Sequence, residues 1–114
     1  MTADGMTERV AAAIRSFFAE HEVATLKLPS GWFGRPNDNW HQLTEVSVTG
    51  PLVQVRLDET QQLELVASAV AVDGRILRIA IDRGGWTWIS YGASERHQEA
   101  LNAGDVEFHA PYHQ

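Results

Sequence analysis

Residues 29–42 form the segment with the highest density of side chains suited to recognition or catalysis, and we call it the aromatic loop. With the preceding leucine it reads Leu-Pro-Ser-Gly-Trp-Phe-Gly-Arg-Pro-Asn-Asp-Asn-Trp-His-Gln. Connections of this length are uncommon in compact domains unless they pack on themselves or serve a function. The side chains that offer aromatic surface, directional hydrogen bonds or a titratable group are Trp32, Phe33, Arg35, Asp38, Asn39, Trp40 and His41.

Two interpretations of the aromatic loop follow from its composition. In the first it is a binding loop whose aromatic side chains contact a partner, with Arg35 and Asn39 as directional donors. In the second it is an Ω-type loop that folds its own aromatic side chains over the open end of a sheet. The second is favoured, because three large aromatic side chains usually become buried.

A second aromatic group lies at Trp86 and Trp88. In a strand these two side chains share one face, opposite Ile89. If Ile89 joins the core, both tryptophans lie on the other side, and an exposed pair would form an apolar patch that monomers rarely show. The sequence therefore predicts that the chain itself, a second copy or a protein partner covers them. A stacking platform for sugars or bases is the remaining alternative.

The histidines and carboxylates give no strong metal or catalytic motif. Asp38 and His41 are the nearest to a ligand pair, but the His-Glu-x-x-His spacing is absent and the chain has no cysteine. We therefore predict no metal and no cofactor.

An enzyme is not favoured, and no catalytic residue is assigned. The candidates for acid, base or nucleophile are Asp38, His41, Ser90, Tyr91 and Glu95. No nucleophile elbow, phosphate-binding glycine loop or dinucleotide fingerprint is present. A tight turn explains Gly84-Gly85 better than a ligand-binding loop does.

The elements that must position these residues begin with a helix over residues 7–21. Val10, Ile14 and Phe17 recur at helical spacing, and Thr7 can cap the first turn. Val23–Leu28 is predicted as a short strand.

From residue 43 the hydrophobic period changes to two, which is typical of half-buried strands. Gly50-Pro51 predicts a turn, and Asp73-Gly74 predicts a hairpin. Leu63 and Leu65 have the opposite parity to Val70 and Val72, so a bulge or bend is expected between residues 66 and 69. Residues 95–102 are predicted as a second, short helix, and residues 106–108 as a final edge strand.

The predicted fold is α+β in a single domain, residues 1–114, with residues 1–6 and 111–114 frayed. An N-terminal amphipathic helix packs on a curved antiparallel sheet or partly closed barrel, a roll, of five or six strands, and a short C-terminal helix follows. A flat open sheet is the alternative.

The charge balance argues against a nucleic-acid partner. The chain carries 9 Lys+Arg against 15 Asp+Glu, a formal charge of −6. Its cations are scattered, whereas nucleic-acid binding needs a basic stripe.

The longest nearly apolar run, residues 65–72, is far too short to cross a bilayer, and the N-terminal residues lack signal-peptide features. We therefore expect neither a nucleic-acid nor a membrane partner, and a cytoplasmic location.

Three functional hypotheses remain at this stage. The first is a protein-interaction or self-association module, as a homodimer, that uses the aromatic loop and the sheet tryptophans. The second is a small-ligand-binding enzyme with Arg35, Asp38 and His41 at a pocket. The third is a structural or inhibitory subunit that binds a basic protein through the negative charge.

Overall fold

The structure, a computed structural model, describes residues 3–32, 40–58, 60–89 and 96–111, and all statements below refer to them. Within them the chain forms one helix followed by eight strands. In chain order these are α1 (Ala3–His21), β1 (Val23–Leu28), β2 (Gly31–Trp32), β3 (His41–Thr49), β4 (Leu52–Leu57), β5 (Gln61–Asp73), β6 (Ile76–Ile89), β7 (Arg96–Leu101) and β8 (Gly104–His109).

The helix is amphipathic as predicted, although it begins earlier in the chain. It starts at Ala3 rather than near Thr7, which is buried. Val10, Ile14 and Phe17 are buried, because helical spacing puts them on the face that packs against β3 and β5. Burying each such side chain contributes about 1.5–3 kcal/mol.

The end of the helix is tied to the sheet by backbone and side-chain hydrogen bonds. Glu22 has a left-handed backbone (φ 70°), and its N–H donates to the carbonyl of Phe18. Arg15 Nη2 donates to the carbonyl oxygen of Val46 in β3 at 2.9 Å. These bonds fix where the chain leaves α1 and enters β1.

The sheet is antiparallel and ring-like. Strands β3 to β7 pair in chain order as a meander, β1 pairs with β3, and β8 pairs with both β1 and β6. The path β1-β3-β4-β5-β6-β8 therefore returns to its start. This confirms the predicted α+β class and the curved antiparallel sheet, but with eight strands rather than five or six.

The predicted change of face in β5 is confirmed. The pairing of β5 with β6 shifts register between Val66 and Ala67 and again between Ala67 and Ala69. Leu63 and Leu65 are fully buried before the shift, and after it Val70 faces the core. The irregularity lets two long strands bend, so the sheet can curl around α1.

Both predicted hairpin turns are present. Thr49 pairs with Leu52 across Gly50-Pro51, and Asp73 pairs with Ile76 across a two-residue loop that begins at Gly74. Gly50 and Gly74 adopt φ of 58° and 63°, which glycine reaches without steric cost.

The predicted C-terminal helix over residues 95–102 is wrong. Residues Arg96–Leu101 form strand β7, paired along its length with Gly84–Ile89 of β6. Alanine, glutamate and leucine in this segment favour a helix, but the ladder to β6 outweighs that propensity.

Two further details of the prediction are corrected. Gly84-Gly85 is not a turn, because β6 runs through both residues to Ile89. Residues 106–108 are not an edge strand, since β8 is paired on both sides and completes the ring. The helix α1 is not long and apolar enough to cross a membrane, and it is the only helix in the described ranges.

Candidate functional site

Strand β1 holds both ends of the aromatic loop. Trp32 pairs with Lys27 on the way out, and His41 pairs with Ala24 on the way back. These two positions on β1 are three residues apart, about 10 Å along the strand. The ends of the loop are therefore set on a rigid scaffold, as is usual for loops that carry function.

A buried histidine forms the anchor at the second end. His41 is 2% exposed, and its Nδ1 lies 2.6 Å from Oδ2 of Asp58. The other oxygen of Asp58 accepts the backbone N–H of Gln42 at 2.8 Å, and the N–H of Asp58 donates to the carbonyl of Gln42 at 3.0 Å. One aspartate at the end of β4 therefore holds the first two residues of β3.

The proton on His41 can be assigned from these contacts. An ionised carboxylate only accepts hydrogen bonds, so Nδ1 of His41 carries the hydrogen and donates it to Asp58. The amide nitrogen of Gln61 lies 3.2 Å from the same Nδ1 and packs beside it. The bond to Asp58 therefore fixes the orientation of the His41 ring, with the Gln61 amide packed against it.

Gln61 also contacts a stack of aromatic rings. Trp86 Nε1 donates to Oε1 of Gln61 at 3.3 Å, and Trp86 is 6% exposed. Trp86 and Trp88 are stacked with ring centroids 4.0 Å apart, and Trp88 stacks on His97 of β7 at 4.9 Å. The two tryptophans share a face as predicted, and that face is the core side.

The structure brings together some of the predicted site residues and separates others. His41 and Trp86 both contact Gln61, and Trp88 stacks on Trp86. Trp40 is half-buried beside His41. The remaining candidates lie outside the described part of the chain. They are Phe33, Arg35, Asp38, Asn39, Ser90, Tyr91, Glu95 and the side chain of Trp32.

Neither a metal cluster nor a match to a known protein adds to this description. Among the described residues no group of three or more His, Asp or Glu side chains could hold a metal ion. Comparison with protein-family models, curated proteins and solved structures gives no significant match. The functional argument therefore stands on the geometry of this chain.

A free strand edge is the surface that sequence reasoning missed. Beyond the register shift, residues 69–73 of β5 pair only with β6, because β4 ends its pairing at Leu65. In the part of the chain that the structure describes, no strand lies on the other side of this segment. Ala69, Ala71 and Val72 are exposed, and Val72 is the only exposed large hydrophobic residue described, at 57%. The available signal was the absence of charge over residues 66–72.

Arg78, Glu107 and His109 form an ionic cluster on the outer face of β6 and β8. Arg78 Nε donates to Oε2 of Glu107 at 3.0 Å, and His109 Nε2 lies 2.7 Å from Oε1. Burial acts to raise the pKa of Glu107, but the hydrogen bonds from His109 and Arg78 outweigh it and hold the pKa below its ordinary value.

The lowered pKa of Glu107 predicts a loss of stability in acid. A carboxylate with a depressed folded-state pKa stabilises the fold above its ordinary pKa of 4.5, and the contribution is lost as the pH falls through the folded value. Glu107→Gln should therefore lower the free energy of unfolding at neutral pH. The difference from the wild type should shrink as the pH drops below about 4.5.

Urea unfolding at several pH values measures this difference directly. Glu99→Gln is the matched control, because Glu99 is exposed on β7, away from the cluster. A gap between wild type and Glu107→Gln that stays constant down to about pH 3 would show that Glu107 is not stabilised as an anion.

Proposed function

We propose that this protein is a self-association module that forms a homodimer by pairing residues 69–73 of β5 with the same segment of a second copy. The observation that supports it is the unpaired edge of β5, uncharged over residues 66–72, which carries the exposed Val72. Exposed edges are templates for pairing with another chain, and proteins that stay monomeric block them with charges or proline. Between residues 66 and 72 this edge has neither.

The side chains of the edge are self-complementary in an antiparallel pair. With the two-fold axis at Ala71, Val72 of one copy lies opposite Val70 of the other. Both valines lie on the same face of β5, and Val70 is already partly buried against the core. A valine pair across strands contributes about 0.2–1 kcal/mol beyond the backbone bonds. The pairing would extend the sheet of each copy and cover Val72.

The charges of the edge do not oppose this arrangement. The chain is acidic, so two copies repel each other over most of their surface. In the antiparallel register, however, Asp73 of each copy lies opposite Ala69 of the other, so the two carboxylates are at opposite ends of the shared segment. The edge is therefore the part of β5 where two acidic copies meet without facing like charges.

Sedimentation equilibrium over a range of protein concentrations tests the proposal. The expected result is a concentration-dependent species with twice the 12.7 kDa mass of the chain. Ala71→Lys sets two lysines against each other at the two-fold axis and should raise the dissociation constant at least about tenfold.

Ala12→Lys is the matched control for Ala71→Lys. Ala12 is exposed on α1, so this variant adds the same charge away from the edge and should dimerise like the wild type. A protein that stays monomeric at all concentrations, or equal weakening by both substitutions, would overturn the proposal.

The sheet tryptophans do not belong to the proposed dimer interface, although the sequence had suggested that they would. Trp86 is buried and bonded to Gln61, so a partner has no access to it. The small-ligand enzyme also loses support, because His41 is buried and bound to Asp58 instead of standing at a pocket mouth.

A further inference from the structure

The outer face of the sheet carries a row of polar side chains that crosses five strands. The strand registers place Glu45 beside Arg56, Arg56 beside Gln62, Gln62 beside Thr87, and Thr87 beside Gln98. Neighbouring strands are about 4.8 Å apart, so the row is about 19 Å long. None of its members is apolar, and each projects from the face opposite the core.

The middle of this face forms a groove of about 390 Å³. Its floor includes Thr87 of β6, whose side chain is short. Its walls include the long side chains of Arg56 and Gln62 on one side, and of Arg96 and Gln98 on the other. The volume lies within the range of small-molecule sites.

The carboxylate of Glu64 is held in place at the floor of the groove. Its Oε2 accepts hydrogen bonds from the amide nitrogens of Gln54 at 3.1 Å and Gln62 at 3.4 Å. Its Oε1 lies next to Gly85, 3.9 Å from the position that a β-carbon would take if residue 85 had one. This oxygen accepts no hydrogen bond from the described side chains. Glu64 lines the groove and therefore keeps one oxygen that these side chains do not engage.

Two guanidinium groups complete the lining. Arg56 has an ion pair with Glu45 at 3.6 Å, and both side chains are more than half exposed. Such an exposed ion pair is weak, so a ligand carboxylate can replace Glu45 at little cost in free energy. Arg96 has no ion pair within the described ranges. The charged side chains that line the groove itself are therefore two arginines and one glutamate.

We propose that this groove binds a small acidic amino acid, with carboxylates on Arg56 and Arg96 and the ammonium group on Glu64. Arginine forms bidentate bonds to carboxylates, and an ammonium group supplies the donors that the open oxygen of Glu64 accepts. The two carboxylates and one ammonium group of such a ligand correspond to the two arginines and one glutamate of the lining. The site is on the outer face, away from the β5 edge, and does not depend on dimerisation.

Calorimetric titration with L-glutamate and with glutarate tests the ligand class. Glutarate keeps both carboxylates and lacks the ammonium group. L-glutamate is expected to bind with a dissociation constant of about 1 mM or lower, and glutarate at least about tenfold more weakly. Amide shifts in a proton–nitrogen correlation spectrum should then concentrate on residues 56, 62, 64, 87 and 98. Absence of saturable shifts there with L-glutamate would overturn the proposal.

Two substitutions separate the roles of the charges. Arg96→Gln should weaken both ligands at least about tenfold, because it removes one carboxylate partner. Glu64→Gln should abolish the preference for L-glutamate over glutarate, because only the ammonium group contacts Glu64. A Glu64→Gln protein that keeps the preference would contradict the assigned orientation. Arg9→Gln on α1 removes an exposed arginine elsewhere and should leave both constants unchanged.

A third variant crowds the Glu64 carboxylate while keeping the charges of the groove. Gly85→Val adds a side chain beside Glu64, and the nearest atom to its β-carbon is the far end of Glu64 at an ordinary contact distance. The fold should therefore persist, as checked by thermal unfolding, while L-glutamate binding is lost. Wild-type affinity in this variant would show that the ammonium group of the ligand does not contact Glu64.

Discussion

Replacing His41 with alanine is expected to destabilise the protein by about 2–4 kcal/mol, because it opens a cavity in the core and removes a charge-assisted hydrogen bond. His41 is 2% exposed, and its 2.6 Å bond to Asp58 fixes the start of β3. Asp58→Asn keeps the shape of the pair and loses its charge, so a smaller cost of about 1.5–3 kcal/mol is expected. Urea unfolding measures both values.

The double variant shows whether the two side chains act as one unit. If they do, His41→Ala with Asp58→Asn should cost less than the sum of the single changes by about 1–3 kcal/mol. Gln42→Ala is the control, because its side chain is exposed and its backbone makes the bonds to Asp58. A His41→Ala protein with wild-type stability would mean that His41 does not fix the start of β3. His41 would then again be a candidate for a catalytic or binding role.

The sequence predicted those parts of the fold that depend on local patterns. Helical spacing located the buried face of α1, and Val23–Leu28 was predicted with the observed bounds. The reversed parity of Leu65 and Val70 located the irregularity in β5, because a one-residue shift moves side chains to the other face. Each of these features is visible within a short window of residues.

The errors concern segments whose structure is set by distant partners. Residues 96–101 have helical propensity and become a strand because β6 offers a free edge there. Likewise, nothing near residue 106 indicates that β8 closes a ring with β1. Such long-range pairings leave no periodic signal in a single sequence.

The candidate sites were harder to predict than the fold, for a related reason. Arg56, Gln62 and Thr87 each look like ordinary exposed positions of alternating strands. Only the registers of successive strand pairs align them in one row. His41 was singled out for its position in the aromatic loop, but its partner Asp58 lies 17 residues away. Glycine in a strand was the one local clue to a close approach, and it was interpreted as a turn.

Gly84→Ala is expected to be among the most damaging single-methyl changes in the chain. A β-carbon at residue 84 would lie 2.4 Å from the backbone carbonyl oxygen of Glu64 on the paired strand. The backbone of Gly84 is not in the left-handed region, so the requirement for glycine comes from this close approach. Because the obstructing atom belongs to a strand backbone, relief requires β5 and β6 to separate. The expected cost is about 3 kcal/mol, at the upper end of the range for overpacking.

Gly85→Ala is the internal control for Gly84→Ala. The nearest atom to its β-carbon is a carboxylate oxygen of Glu64 at 3.9 Å, an ordinary contact distance, so the fold accommodates the methyl group. Reduced freedom of the unfolded chain should make this variant neutral or more stable by up to about 1 kcal/mol. Thermal unfolding of the two variants therefore compares the same chemical change at adjacent positions. Equal melting temperatures would mean that β5 and β6 do not approach closely at Gly84, and the tight curvature of the sheet at this point would need another cause.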